Sequence, residues 1–178
     1  FLGSYQRRSL YFVDPTGTTL VPDQRWIAAS QDRMADTLIT LLQAGPRLSL
    51  EPAVRNVVNG LTTAQAITKA DGRPTGVGVG PGGVRIDLGG ASPLDGATRT
   101  LLAAQIVWTL ARAEVSGPYV LLADGVPLDP EFPDGWTTAD LAEFDPSAVA
   151  GTDVGLHALR NGSLVRVGSN GVTPVPGF

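Results

Sequence analysis

The chain reads as an α/β (α+β) fold: a two-layer sandwich with a mixed sheet, helices packed on one face, and a C-terminal β-hairpin extension. Three observations predict it. Two stretches, Gln31–Ala44 and Asp95–Val115, carry apolar residues at helical spacing. Short apolar runs bounded by Gly, Pro, Asn and Asp lie before, between and after them, as strands do. With 43% hydrophobic and 17% charged residues, the chain has enough apolar material for a core. Strands and helices that alternate through short hairpins bury their apolar faces by laying helices over one side of a sheet.

The elements follow in order. Ser9–Val13 is aromatic and β-branched and stops at Asp14-Pro15-Thr16-Gly17, a strand and its turn. Thr18–Val21 is a short second strand that pairs back through that turn, with Trp26 and Ile27 extended beyond it. Ser30 is placed to cap the first helix. Met34, Leu38, Leu41 and Leu42, with Ala35 beside them, form its stripe, and Gly45-Pro46 stops it. A shorter helix is expected from Leu50-Glu51-Pro52, with Val54, Val57 and Val58 on its apolar side and Asn59-Gly60 at its end. Thr62–Ala70 alternates weakly, as a strand does. Gly76–Val79 and Val84–Leu88 read as a hairpin about a Gly80–Gly83 bend, with Val84, Ile86 and Leu88 on one buried face.

Asp95 caps the long second helix, in which Ala97, Leu101, Ala104, Trp108 and Ala111 share a face that Leu102, Ile106 and Leu110 widen. Gln105 is the polar group on that face and is expected to bond to a strand end or loop backbone. Trp108 reads as core. Ser116-Gly117-Pro118 ends the helix, Tyr119–Leu122 is an apolar strand, and Asp124-Gly125 is a type I′ hairpin signal before Val126 and Leu128. Beyond it, Thr137–Phe144 has room for one or two helical turns. The Arg160-Asn161-Gly162-Ser163 stretch, between apolar runs, marks a further hairpin. The organisation expected is therefore an α/β domain over 5–128, an acidic loop-rich connector over 129–153, and a β-hairpin and tail over 154–178. That tail is expected to belong with further β structure outside the sequence, because a lone hairpin is marginal. The chain begins Phe1-Leu2-Gly3-Ser4 without an initiator Met, which reads as a piece of a longer protein.

Composition excludes much chemistry. There is no cysteine, hence no disulfide, thiolate metal site or cysteine nucleophile. His157 is the single histidine, so no multi-histidine metal site exists. The longest low-charge run, Leu101–Ala111, is shorter than the roughly 20 residues of a membrane span. The net charge of −4 argues against a chain-wide nucleic-acid footprint. That charge is unevenly spread: no basic residue occurs between Ala113 and Gly155, where Asp129, Glu131 and Asp134 lie. Such a stretch is either a solvated acidic surface or an electrostatic docking face for a basic partner.

No motif carries a reaction. Gly78-Val79-Gly80-Pro81-Gly82-Gly83 matches G-x-G-x-x-G in form, but a strand follows it where a phosphate site needs a helix N-terminus. No G-x-S-x-G elbow accompanies His157, which reads as a strand residue. The pairs Asp124/Asp129 and Asp87/Asp95 read as turns and caps rather than acid–base couples. Asn161-Gly162-Ser163 is a formal glycosylation sequon better explained by its turn. The reading is a non-enzyme with no catalytic, cofactor-binding or metal-ligating residues. Asp129, Glu131 and Asp134 are the candidates for partner binding. Trp26 and Trp136, if exposed, would be candidates for stacking on a cell-wall glycan.

Four stretches carry a resemblance: Tyr11–Pro22, Leu42–Pro46, Ala103–Leu110 and Asp124–Leu128. In this order they resemble the GerMN domain of the LpqB family of actinobacterial lipoproteins, over roughly Ser9 to Leu128. Gly155–Leu164 looks like the join to that family's C-terminal β-propeller. The resemblance implies a lipid-anchored protein on the extracytoplasmic face of the cell membrane, its anchor cysteine upstream of this sequence. It implies an interaction or sensing module that modulates a two-component sensor histidine kinase in envelope and cell-division control. The implied partners are that kinase's extracytoplasmic domain and the protein's own β-propeller, with no nucleic acid and no membrane contact except through the anchor. The alternative is a peptidoglycan- or glycan-binding domain.

Overall fold

The Asp14 turn sets the first element. In the computed structural model, which describes residues 5–148, 156–160, 163–168 and 171–174, its carboxylate accepts hydrogen bonds from the amides of Thr16, Thr18 and Thr19 at 3.0, 2.7 and 2.8 Å. It also accepts from the Thr16 hydroxyl. Partial burial pushes the Asp14 pKa up, but these donors outweigh it and hold the group well below the usual carboxylate range. The strands on either side, β1 (Gln6–Val13) and β2 (Leu20–Ile27), pair antiparallel, with Val13 opposite Leu20 and Arg7 opposite Trp26. β2 therefore runs through Pro22 and is longer than the four residues expected. Its buried Asp23 accepts from Arg25 Nη2 at 2.6 Å and from the Arg47 amide at 3.0 Å, tying the strand to the loop after the first helix.

That helix, α1, spans Gln31–Ala44 as its periodicity predicts and buries Met34, Ala35, Leu38, Ile39 and Leu42. Ser30 stands at its N-cap without a side-chain capping bond, and Gly45 closes it with φ +92°. The expected helix after Leu50 does not form. Only Glu51–Ala53 make a 3₁₀ turn, and Val54 is extended because Arg55 pairs its backbone with Val13 in both directions, at 2.7 and 3.0 Å. A long-range bridge has overridden a local helical spacing.

The second sheet holds β3 (Thr62–Thr63), β4 (Val84–Gly89), β5 (Tyr119–Ala123) and β6 (Val126–Pro127), in that order across it. β4 and β5 are parallel and the other pairs antiparallel, so the sheet is mixed. Of Thr62–Ala70 only the first strand pair and a Thr68–Arg85 bridge are extended. The expected hairpin between Gly76–Val79 and Val84–Leu88 is absent: 76–83 is a run of turns whose glycines 76, 78, 80, 82 and 83 all have positive φ. β4 instead takes β3 and β5 as neighbours.

Between β4 and β5 the chain crosses over through α2 (Gly96–Arg112), capped by Asp95, which accepts from the Thr98 amide at 2.8 Å. The helix stops at Arg112, short of Val115. Residues 102–110 are buried all round, which is the mark of a central helix. Val84, Ile86 and Leu88 of β4 join the helices in one core with Tyr119, Leu121 and Ala123 of β5. The same core takes in Leu10, Phe12 and Val13 of β1, against which both helices pack. Asp124 and Gly125 have φ +51° and +86°, as a type I′ turn requires.

The described chain divides into two compact units, Phe1–Ser147 and Ala148–Phe178. In the second, β7 (Leu156–Arg160), β8 (Ser163–Gly168) and β9 (Gly171–Pro174) form an antiparallel meander, with Arg160 opposite Ser163 and Gly168 opposite Gly171. Asn161 and Gly162, and the tail after Pro174, lie outside the described residues.

Candidate functional site

The segment after Leu128 is acidic in sequence and apolar in attachment. Leu128, Trp136, Leu141 and Phe144 are buried in the same core as the helices. Trp136 and Tyr119 exchange backbone hydrogen bonds at 2.9 Å each way. Gly135, at φ +104°, sits so close beneath Tyr119 that a Cβ there would lie 2.9 Å from its carbonyl carbon. Phe132 stacks on Trp136 with ring centroids 3.8 Å apart. Trp108, core as expected, donates its indole N–H to Leu141 O at 3.0 Å. Arg112 lies 5.5 Å from the Trp108 ring centre and pairs with Asp145 at 3.0 Å. Tyr119 donates its hydroxyl to Val115 O at 2.7 Å, and burial pushes its pKa up to about 12.

On this anchored segment the three acidic candidates differ. Asp129 is half-buried and accepts from the Glu131 amide at 2.9 Å, whereas Glu131 and Asp134 are exposed. None forms an ion pair among the described residues. Two successive turns carry them, closed by the Phe132 amide on Asp129 O and the Gly135 amide on Phe132 O, both at 3.1 Å.

The aromatic candidates separate. Trp26 is 65% exposed on β2, opposite the exposed Arg7. Trp136 is 2% exposed, so the expectation that it offers a stacking surface is corrected. Its ring is spent on Phe132 and the core beneath Tyr119. The remaining carboxylates read as the sequence implied. Asp124 accepts from the Gly90 and Ser92 amides at 2.8 and 2.9 Å; the Ser92 hydroxyl leads those donors in drawing its pKa down. Asp87 accepts from the Gly125 amide at 2.9 Å. Gln105 bonds a loop, as expected: its amide donates to Asn56 Oδ1 at 2.8 Å and its oxygen accepts from the Val57 amide at 3.3 Å. His157 lies in β7 opposite Arg166, its side chain outside the described residues.

Clefts open among the described residues of the first unit. One of about 330 Å³ lies at the end of α1 between Gly45, Leu48 and Asn56. One of about 490 Å³ lies between Arg55, Thr16 and the start of α2. Another, of about 310 Å³, lies over β4 between Arg85, Asp87 and Gln65, and sequence reasoning missed it. The signal was present in the alternation of β4, which places Arg85 and Asp87 on the face opposite Val84, Ile86 and Leu88. Among the described residues no group of three or more potential metal ligands converges, and no helix is long and apolar enough to cross a membrane.

Residues 9–129 match the model of the Germane family, described as sporulation and spore germination. The chain is 59% identical over 179 residues to lipoprotein LpqB of Rhodococcus jostii, covering 100% of this chain and 30% of that protein. It is 52% identical to lipoprotein LpqB of Mycolicibacterium smegmatis, covering 99% of this chain and 31% of that one. With lipoprotein LpqB of Mycobacterium tuberculosis the figures are 50% identity, 99% and 30%. The chain thus spans about a third of the length of the curated relatives it matches. In structure it is similar to the tandem GerMN domains of the sporulation protein GerM from Bacillus subtilis, with a TM-score of 0.51 at 15% identity over 96% of this chain and 59% of that one. That likeness is one of fold.

Proposed function

The chain belongs to the Germane family, and from that membership we propose that it is the extracytoplasmic interaction or sensing module of a lipid-anchored envelope protein. Its relatives carry the name lipoprotein, which supports the anchor. The finer reading is that it docks the extracytoplasmic part of a two-component sensor histidine kinase and modulates it in envelope and cell-division control. A β-propeller following this domain in the same protein is part of that reading. No enzymatic step is proposed.

One observation carries the docking role: Glu131 and Asp134 stand exposed, with Asp129 half-buried beside them, on a loop fastened to the core through Trp136 and Tyr119. Unpaired charges of one sign held on a fixed loop favour a cationic partner surface and disfavour an anionic one. The test is charge reversal, Asp129→Lys, Glu131→Lys and Asp134→Lys together, in the membrane-anchored protein. Capture of the kinase from solubilised membranes should fall steeply while the domain stays folded. Undiminished capture removes the acidic docking face.

The alternative, a cell-wall glycan ligand, is supported by the exposed Trp26 indole beside Arg7. Aromatic faces stack on sugar rings through their apolar C–H surfaces. Sedimentation with purified cell wall, native against Trp26→Ala, separates this reading from the first.

A further inference from the structure

Asp87 is nearly buried, yet the fold leaves most of its acceptor capacity unused. Only 8% of it is exposed, yet its carboxylate accepts a single hydrogen bond among the described residues, from the Gly125 amide. An ionised carboxylate has about four acceptor sites, and the Asp87 Oδ2, which accepts no hydrogen bond among the described residues, is not fully buried and opens to solvent. No cation lies within ion-pair distance of it among the described residues. The group lines the cleft of about 310 Å³ whose floor includes Leu122 and whose wall is Gln65, Ala66 and Thr68.

Arg85 lines the same cleft. It shares a strand face with Asp87, and in register the two stand beside Val120 and Leu122 of β5. Arg85 is exposed and has no side-chain hydrogen bond or ion pair among the described residues. The cleft therefore offers a buried carboxylate and an available guanidinium that are not paired with each other. Two residues apart on one strand, they are separated along it by about 7 Å.

We propose that this cleft binds a small zwitterion of dipeptide size, its ammonium group held by Asp87 and its carboxylate by Arg85. A dipeptide carries its two terminal charges about 7 Å apart when extended, and Arg85 and Asp87, on one strand face but not ion-paired with each other, leave room for such a bridge between them. Ammonium donors would fill the acceptor sites that Gly125 leaves open, and guanidinium binds a carboxylate in a fork. Gln65 and Thr68 bring further hydrogen-bonding groups to the wall for the central peptide unit. The backbone of Thr68 is itself fixed, exchanging hydrogen bonds with Arg85 at 2.8 and 3.2 Å. The site stands apart from the docking reading, and neither needs the other.

The probe is glycylglycine, titrated into the whole 178-residue chain while backbone amide resonances are followed by NMR. Saturable shifts centred on Arg85, Asp87 and Gly125 are expected, with a Kd on the order of 1 mM. N-acetylglycylglycine, which lacks the ammonium, and glycylglycinamide, which lacks the carboxylate, should each bind about tenfold or more weaker. Asp87→Asn keeps an oxygen for the Gly125 amide and should lose the ammonium preference alone, and Arg85→Gln the carboxylate preference alone. Absence of saturable shifts at about 50 mM, or equal binding of the blocked compounds, overturns the proposal. Should Asp87→Asn fail to fold, the comparison of the three compounds on the native chain decides it.

Discussion

The amide of Gln105, fully buried in α2, donates to Asn56 Oδ1 at 2.8 Å, while its oxygen accepts from the Val57 amide at 3.3 Å. Asn56 in turn donates to Leu42 O at the end of α1, at 2.8 Å. One side chain therefore fastens the 56–58 loop and, through it, both helices. Replacing Gln105 with Leu leaves the Val57 N–H without an acceptor, which costs about 1–3 kcal/mol. Urea unfolding should show a lower midpoint by that amount, with an unchanged slope.

Thr109 is the parallel case on the next turn of the helix. Its hydroxyl accepts from the Tyr11 amide at 3.0 Å, and the residue is fully buried. Thr109→Val is nearly isosteric and should still destabilise by about 1–3 kcal/mol. Thr109→Ser keeps the acceptor and should cost less. Thermal melts of the two variants, side by side, check the order.

Gly83 and Gly80 share φ +64° but not their surroundings. A Cβ at Gly83 would lie 2.2 Å from Pro118 O, whereas at Gly80 nothing lies within 4 Å. Gly80→Ala should cost about 1 kcal/mol, the strain of a left-handed residue alone. Gly83→Ala must also push the β4–β5 backbones apart and should cost several times more, or fail to fold. Chemical denaturation of both variants tests the difference.

Asp14 has a folded-state pKa depressed below its unfolded value of about 3.9. The stability it contributes is therefore complete above that pH and lost as pH falls through the acid range toward the folded value. The native chain should lose stability below about pH 4 more steeply than Asp14→Asn, which has no such carboxylate to protonate. Urea midpoints at stepped acid pH measure this. Other depressed carboxylates, such as Asp95 and Asp124, are common to both proteins and cancel in the comparison.

The segment 129–147, acidic as it is, should be indispensable to the first unit. Trp136→Ala empties a buried site beneath Tyr119 and is expected to destabilise by about 3–5 kcal/mol. A chain ending at Leu128 should be unable to fold, since Trp108 and Tyr119 would lose Leu141 and Trp136. Circular dichroism and amide-proton dispersion read the outcome directly.

Elements set by local chemistry were legible in the sequence. The Met34–Leu42 stripe with Gly45 beyond it marked α1 to the residue, and Asp95 and Asp124-Gly125 marked the α2 cap and the β5–β6 turn. What distant residues decide was not legible. Val54, Val57 and Val58 are spaced for a helix, but Arg55 is claimed by Val13. Val84–Gly89 looked like half of a hairpin until Tyr119–Ala123 supplied a parallel neighbour. The glycine turns at 76–83 carry no side-chain signal to distinguish them from a strand. Trp136 sits among Pro and Asp and reads as exposed, because its burial depends on Tyr119. The acidic candidates stand out because a stretch without basic residues is visible in one dimension. The Asp87 cleft does not, because the loop that walls it approaches only in three. The resemblance read from four short stretches holds over the whole chain at 50–59% identity.

The Tyr11–Thr109 bond also sets a clock. Its partners are 98 residues apart, and ribosomes add about 5–20 residues each second. For about 5 to 20 s after Tyr11 is made, its strand waits for an acceptor that does not yet exist. Folding of this unit therefore cannot precede its central helix, and on the extracytoplasmic side proposed above β1 stays exposed to interception until that helix has crossed the membrane too.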